Sequence, residues 1–302
     1  MTLMVESVAA NGVDDTAALR ESVADFAARG TSLKRVREQR AHLPGYERNV
    51  WSTFANLGWL GILVPETHGG LGLGVREAAV VAQGLAVALV PEPFSAACVL
   101  ATGAIAYGDN PELKARLLPA VVSGSLLPAL AWQENAQDID PLNAQTRATA
   151  DGDATILSGT KRFLSGAAGA DGFVVSARAA EGLALYWIPR TTAGLELRPQ
   201  LLADGTFGAT LNLAQVRVSP GQRVASAAAA NAALTQALDE ASIVAGAELL
   251  GIASRTLDMT LEYLRMRKQF GKAIGSFQAL QHRAVDLYVQ KELASALLEE
   301  AL

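Results

Sequence analysis

Three blocks of different periodicity follow one another along this chain, and their order limits the fold more than any other feature. Residues 14–127 read as helices. From Asp15 to Ala28, Leu19, Val23 and Phe26 recur at helical spacing, and Val50, Phe54 and Leu57 do the same from Val50 to Gly58. Glu77 to Leu89 is almost wholly apolar, which predicts a helix buried on most sides and stopped by Pro91 and Pro93. Pro111 to Lys114 opens a short helix that ends before Pro119. From about Leu127 to Val224 the residues alternate and are cut by turns. Thr146 to Ala150, the turn Asp151-Gly152-Asp153 and Thr155 to Leu157 predict a β-hairpin. Further strands are predicted at Phe173 to Ala177, Leu183 to Ile188 and Leu211 to Val218, the last with a bulge near Ala214-Gln215 where the alternation slips. Ala227 to Met266 is a long helical pattern without proline. Gly246 and Gly251 inside it cost stability unless they allow close helix packing. After a break at Phe270-Gly271, Ser276 is the expected N-cap of a second helix, with an apolar face running from Phe277 through Leu287 to Leu298.

Helices, then strands, then helices predict a mostly helical α+β protein. The expected parts are an N-terminal helical domain over 1–127, a middle β-barrel-like domain over 128–225 and a C-terminal helical bundle domain over 226–302. The order excludes a Rossmann-type fold, in which strands and helices alternate. The stretch Gly69-Gly70-Leu71-Gly72-Leu73-Gly74 does not make a dinucleotide loop. Val75 stands where a G-x-G-x-x-G begun at Gly70 needs glycine, and a Pro65 turn precedes it in place of a strand. It reads as a structural loop.

Composition removes several functions. The net charge of -5 comes with no basic stripe, so nucleic acid is not an expected partner. The single cysteine, Cys98, lies among apolar residues and reads as a buried, inert thiol. Met1 to Asp15 lacks the layout of a signal peptide. No stretch approaches the roughly 18 uncharged apolar residues of a membrane span, so the chain reads as cytoplasmic. None of the three histidines, His42, His68 and His282, has a second ligand at metal-binding spacing, so no catalytic metal is expected. No G-x-S-x-G elbow is present to suggest a serine hydrolase.

The most specific segment runs from Arg265 to His282 and includes Arg267-Lys268-Gln269-Phe270-Gly271, Ile274, Phe277-Gln278 and Gln281-His282. It resembles the R-x-Q-F-G-x-x-I-x-x-F-Q-x-x-Q-H signature of the acyl-CoA dehydrogenase family. Three shorter matches fall in the family's order. Pro65 to Gly72 resembles P-E-x-x-G-G-x-G, Ala131-Trp132-Gln133-Glu134 takes the place of the A-x-T-E-P flavin loop, and Gly159 to Ala167 resembles G-x-K-x-W-I-T-N-G. The resemblance covers residues 14 to 302. It implies FAD as cofactor, with Trp132, Gln133, Phe163 and Ser165 at the wall that holds the flavin ring. Phe163 would keep an aromatic face there and Ser165 a hydroxyl. It further implies that Arg267 meets the diphosphate of a flavin held mainly by a neighbouring subunit, a natural partner for a guanidinium. Gln269, Phe270, Ile274, Phe277 and Gln278 would accompany it. A site shared in that way implies an oligomer, a dimer of dimers, homomeric or heteromeric.

The implied reaction is α,β-dehydrogenation of an acyl-CoA thioester to a 2,3-enoyl-CoA, a step of lipid metabolism. Its electrons would go to an electron-transfer flavoprotein or a similar acceptor. Such chemistry needs a carboxylate to take the α-proton. In most members that base comes from a later helical segment, and against family length this sequence ends about 80 residues early, leaving the C-terminal domain incomplete. In others it stands early on the long helix, at the position of Ala241, which cannot act. Glu240 is the candidate beside it. The flavin loop also departs from T-E-P-G-A-G-S-D, with Gln133, Asn135, Asp138 and Ile139 at altered positions. Two alternatives follow: a non-catalytic or half-site subunit of a hetero-oligomer, or an oxygen-using flavoenzyme of the same fold.

Overall fold

A computed structural model describes residues 16–30 and 33–302. Met1 to Asp15, and with them the expected start of the first helix, lie outside the described residues. The first block forms α1 (Ala17–Gly30), α2 (Leu33–Gln39), α3 (Arg48–Asn56) and α4 (Val75–Val87). A π-helical turn over Ser95–Ala101 then runs straight into α5 (Thr102–Ala106), and α6 (Pro111–Val122) follows. The aromatic residues of this block pack on one another. Phe26 meets Phe54 edge-on at 5.3 Å and Trp59 at 5.5 Å, and Phe54 also meets fully buried Trp51 at 6.0 Å. Asn110 caps α6 by accepting from the Leu113 amide at 3.0 Å, with Pro111 at the first position, where its missing N–H costs nothing.

Two local expectations change. The α6 helix does not stop before Pro119; it carries that proline within its last turn and ends at Val122. Pro119 forfeits its own helical N–H bond, and its carbonyl still accepts from Ser123 N at 3.0 Å. The α4 helix ends two residues earlier than expected, at Val87, and Leu89 adopts a left-handed φ of 54° ahead of the prolines.

The glycine loop before α4 folds back on its own approach. Leu71 N donates to Gly61 O and Gly72 N to Val64 O, both at 2.9 Å. A Cβ on Gly70 would fall 2.0 Å from the Val64 carbonyl oxygen, so glycine is required there for backbone contact alone.

The strands are β1 (Pro128–Ala131), β2 (Arg147–Asp151), β3 (Ala154–Leu164), β4 (Gly172–Ala179), β5 (Gly182–Pro189), β6 (Leu195–Leu201), β7 (Phe207–Val218) and β8 (Arg223–Ser226). They form one sheet in the order β6-β7-β3-β2-β4-β5-β8, with β1 parallel to β4. The expected hairpin is β2–β3, turning at Gly152 with a φ of 61°. The expected bulge lies between the pairs Leu157–Val216 and Gly159–Leu213, where Gln215 takes a φ of 56°.

The third block is α7 (Ala227–Met266), a short hairpin of β9 (Lys268–Gln269) and β10 (Lys272–Ala273), and α8 (Gln278–Ala301). With 40 residues, α7 is about 60 Å long. Its two glycines differ. A Cβ on Gly251 would sit 2.6 Å from the Gln83 carbonyl of α4, whereas one on Gly246 would meet only Leu298 Cδ1 at 3.9 Å. Close packing therefore explains Gly251 and leaves Gly246 as a plain weak point. Ser276 does not cap α8. It lies in a 3-10 turn and donates to Ala273 O at 2.8 Å, while Phe277 holds the cap position without a side-chain bond. Among the described residues no helix is long and apolar enough to cross a membrane, and no cluster of three acidic, histidine or cysteine side chains could hold a metal ion.

Candidate functional site

The end of β1 and the end of β3 are stitched together by one buried cation. The Lys161 side chain has no solvent exposure. Its Nζ donates to the Trp132 carbonyl at 3.1 Å, to Glu134 Oε1 at 2.7 Å and to Ser176 Oγ at 2.9 Å. Glu134 in turn accepts from the amides of Gln145 at 2.7 Å and Thr146 at 2.8 Å. Burial pushes the Lys161 ammonium down to about 8, against the pull of Glu134. Burial also acts to raise the Glu134 carboxyl, but the hydrogen bonds from Lys161 and Thr146 outweigh it and hold the group below its ordinary range. Next along, Arg162 N donates to Gln133 O at 2.8 Å, which fixes Gln133 beside β3.

A second bulge then turns the wall outward. The register of β3 against β7 shifts between Lys161 and Leu164, and Phe163 takes a left-handed φ of 59° with 53% of its surface exposed. Ser165 follows, also exposed. Trp132, Gln133, Phe163 and Ser165 therefore lie where β1 and β3 end, with an aromatic ring and a hydroxyl turned away from the core. The Gln133 amide bends into its own loop and donates to Asn135 O at 3.3 Å.

Beyond Ser165 the chain comes very close to the helical block. A Cβ on Gly166 would lie 2.6 Å from Pro93 Cβ. This approach closes a cavity of about 400 Å³ between the sheet and the helices. Ser165 and Gly166 line one side, Phe94 and Ser95 another, and Glu248 and Ile252 of α7 a third.

Three carboxylates line this cavity: Glu92, Asp204 and Glu248. Glu92 is committed to structure. It is ion-paired with Arg35 and accepts from Glu47 N at 3.1 Å, and burial raises its carboxyl above the ordinary value despite Arg35. Asp204 accepts from Thr206 N and Thr206 Oγ1, both at 2.8 Å, within its own turn. Glu248 accepts a 2.5 Å bond from Ser95 Oγ. Its carboxyl is raised by burial, with Ser95 the one group opposing that shift. Sequence reading passed over Glu248. The available signal was its isolation, since it is the only charged side chain between Glu240 and Arg255.

Glu240 faces elsewhere. Both of its carboxylate oxygens accept from the Tyr107 hydroxyl, at 2.7 and 2.8 Å, and Gln236 donates to it at 3.2 Å. It is not among the residues lining the cavity. Ala241 packs on the main core.

The remaining site residues are gathered at the far end of α7. Phe270 and Gly271 are the two central residues of the β9–β10 hairpin, with φ of 52° and 79°, the pattern of a tight I′-type turn. Phe270 is 91% exposed and meets Phe277 edge-on at 6.2 Å. Lys272 Nζ lies 4.4 Å from the centre of the Phe277 ring. Ile274 N donates to Arg267 O at 2.8 Å and Gln281 Nε2 to Gly275 O at 2.9 Å, so the segment is internally braced. Arg267, Gln269 and Gln278 are exposed beside it. Arg267 follows Glu248 by 19 residues, most of them helical, which is roughly 28 Å along the axis. The structure thus groups the wall residues and groups the hairpin residues, and keeps the two groups apart.

Comparison with known proteins agrees with this architecture. Residues 13–125 match the family model for the acyl-CoA dehydrogenase N-terminal domain, and residues 230–302 match that for the C-terminal domain. Mitochondrial isovaleryl-CoA dehydrogenase of Pongo abelii is 27% identical over 295 residues, covering 93% of this chain and 70% of the relative. Among solved structures, the Tcur3481-Tcur3483 steroid ACAD G363A variant is 30% identical with a TM-score of 0.85, covering 95% of this chain and 77% of that one. The ChsE4-ChsE5 complex from Mycobacterium tuberculosis is 27% identical with a TM-score of 0.83, over 95% and 76%. The chain belongs to the acyl-CoA dehydrogenase family. That family consists of FAD-dependent oxidoreductases.

Proposed function

We propose that this chain binds FAD and dehydrogenates an acyl-CoA thioester to the 2,3-enoyl-CoA, with an electron-transfer flavoprotein or similar carrier as acceptor. The observation that carries the reading is the cavity between Ser165, where β3 ends, and the helical block, beside an exposed aromatic ring and hydroxyl. Those groups fit a flavin. Phe163 offers a face to an isoalloxazine ring, and Ser165 and the backbone near Trp132 and Gln133 offer polar contacts to its edge. When bound, the flavin supplies the hydride acceptor. The chain's part is to hold the thioester in the cavity, exclude water and fix the wall through Lys161.

The hairpin residues serve a different flavin in this reading. Arg267 stands roughly 28 Å of helix away from Glu248 at the cavity, so its guanidinium is placed for a diphosphate bound to a neighbouring subunit. Gln269, Phe270, Ile274, Phe277 and Gln278 form the surface around it. A phenylalanine 91% exposed on a braced turn is contact surface awaiting a partner. An oligomer, homomeric or heteromeric, follows.

The test is anaerobic. Purified protein should be yellow, and an acyl-CoA should bleach its flavin absorbance, with enoyl-CoA recovered. Protein that binds FAD yet is bleached by no acyl-CoA sinks the reading. A half-site role is favoured by one observation: Ala241 occupies the early-helix base position, and Glu240 beside it is held by Tyr107. Co-purification from the native host with a second family member, and activity only in that complex, would support the half-site role; an active homo-oligomer would reject it.

A further inference from the structure

Glu248 has no structural reason to be where it is. It stands in an apolar stretch of α7 and lines a cavity whose other α7 contribution is Ile252. Glu92, in the same cavity, is paired with Arg35; among the described residues no cation pairs with Glu248, although Arg40 also lines the cavity. Ser95 is its hydrogen-bond partner, through one carboxylate oxygen. An ionised carboxylate has about four acceptor positions, and the bond from Ser95 uses one of those that Glu248 brings to the cavity wall. A carboxylate shut away from water without donors is costly. A plain alkyl chain filling this cavity would impose that state, and a ligand carrying its own donor would relieve it.

The position along α7 tells which end of a bound acyl group Glu248 meets. It follows Ala241 by seven residues, which is two turns on the same face and about 10 Å along the axis. Ala241 marks the level at which a base would meet the α-carbon in the family resemblance, so Glu248 meets the chain well beyond the reacting carbons. On that footing, which rests on the dehydrogenase reading above, we propose that Glu248 and Ser95 form a polar floor of the acyl cavity. The floor selects thioesters whose acyl group carries a hydrogen-bond donor, a hydroxyl or an amine, toward its distal end. Glu248 is a specificity-determining residue in this account and takes no part in proton abstraction.

The experiment uses the FAD-loaded protein, as its native complex if it forms one. Matched pairs of C4 to C10 acyl-CoAs, plain and with a terminal hydroxyl or amine, are titrated calorimetrically and assayed for flavin bleaching. The wild type should bind the donor-bearing member at least tenfold more tightly at the best-fitting length. Glu248→Leu should reverse that preference, and Ser95→Ala should reduce it while disturbing the helix less. Hydroxyl and amine arms separate the two donor types, because Glu248→Gln should weaken the amine more than the hydroxyl. Equal binding of plain and donor-bearing chains by the wild type, with normal bleaching, would overturn this inference and leave the dehydrogenase reading standing. Bound thioesters that no longer bleach the flavin in Glu248→Gln, whatever their chain, would make Glu248 the base and also overturn it. If no acyl-CoA binds, the functional reading itself fails.

Discussion

Replacing Lys161 by methionine tests whether the buried cation holds together the wall proposed to carry the flavin. Methionine keeps most of the side-chain volume, so the change is electrostatic and not a cavity. Three hydrogen bonds from Nζ are lost. The Trp132 carbonyl and Ser176 remain partners of each other through the 3.4 Å bond from Ser176 Oγ, which limits the damage there. Glu134 keeps its two backbone donors and is 13% exposed, so it is not wholly stranded. Breaking a buried pair costs about 3–5 kcal/mol, and these residual contacts place the loss near the lower end, about 3 kcal/mol. For a chain of this size that lowers the melting temperature by about 5 °C. The double variant Lys161→Met with Glu134→Gln should recover part of that loss because no unpaired charge remains, although the single amide oxygen keeps one of the Gln145 and Thr146 donors and gives up the other. Thermal melts with and without FAD, and flavin content after gel filtration, are the readouts. A Lys161→Met protein that melts within 1 °C or so of wild type and keeps its FAD would refute the argument.

Gly251→Ala should cost about 1–3 kcal/mol by thermal melting, since its new Cβ meets the Gln83 carbonyl at 2.6 Å, whereas Gly246→Ala should gain up to about 1 kcal/mol from helix propensity. Glu248 has a raised pKa in the folded chain, so between the ordinary 4.5 and that raised value the folded state holds a proton the unfolded state has lost. Stability should therefore fall as pH rises through this window, and Glu248→Gln should fall less; parallel pH–melting curves for the two proteins would contradict the assignment. Arg267→Ala should leave melting of the FAD-free protein unchanged, because the side chain is exposed, and should lower the FAD bound per assembled oligomer on dialysis.

The large organisation of the fold was readable from the residues because periodicity reports which face of an element is buried. The long helix Ala227–Met266, the hairpin through Gly152 and the bulge at Gln215 each follow from local pattern. Short edge elements did not announce themselves: β1, β6 and β8 are set by pairing with distant strands, β1 with β4 for example. Ser276 misled because a serine before a helical run is a good cap only if the backbone turns there, and here the 3-10 turn delays the helix by one residue. For the candidate site, Phe163 and Arg267 stood out through the family motifs they fall in. Glu248 and Ser95 did not, because they are 153 positions apart and only packing joins them.

The π-helical turn at Ser95–Ala101 has a consequence for how this cavity could change over time. A π turn holds one more residue than the α turn it replaces. Its bonding is visible at Thr102, whose amide and hydroxyl both reach back five positions to the Ala97 carbonyl. Loss of a single residue between Pro93 and Thr102 would restore α spacing and rotate the preceding residues by about 100° about the axis. Ser95 would swing away from Glu248, and the neighbour brought round would face the cavity in its place. A one-residue deletion at this point would thus change which side chain meets Glu248 and, on the reading proposed above, the substrate preference of the cavity.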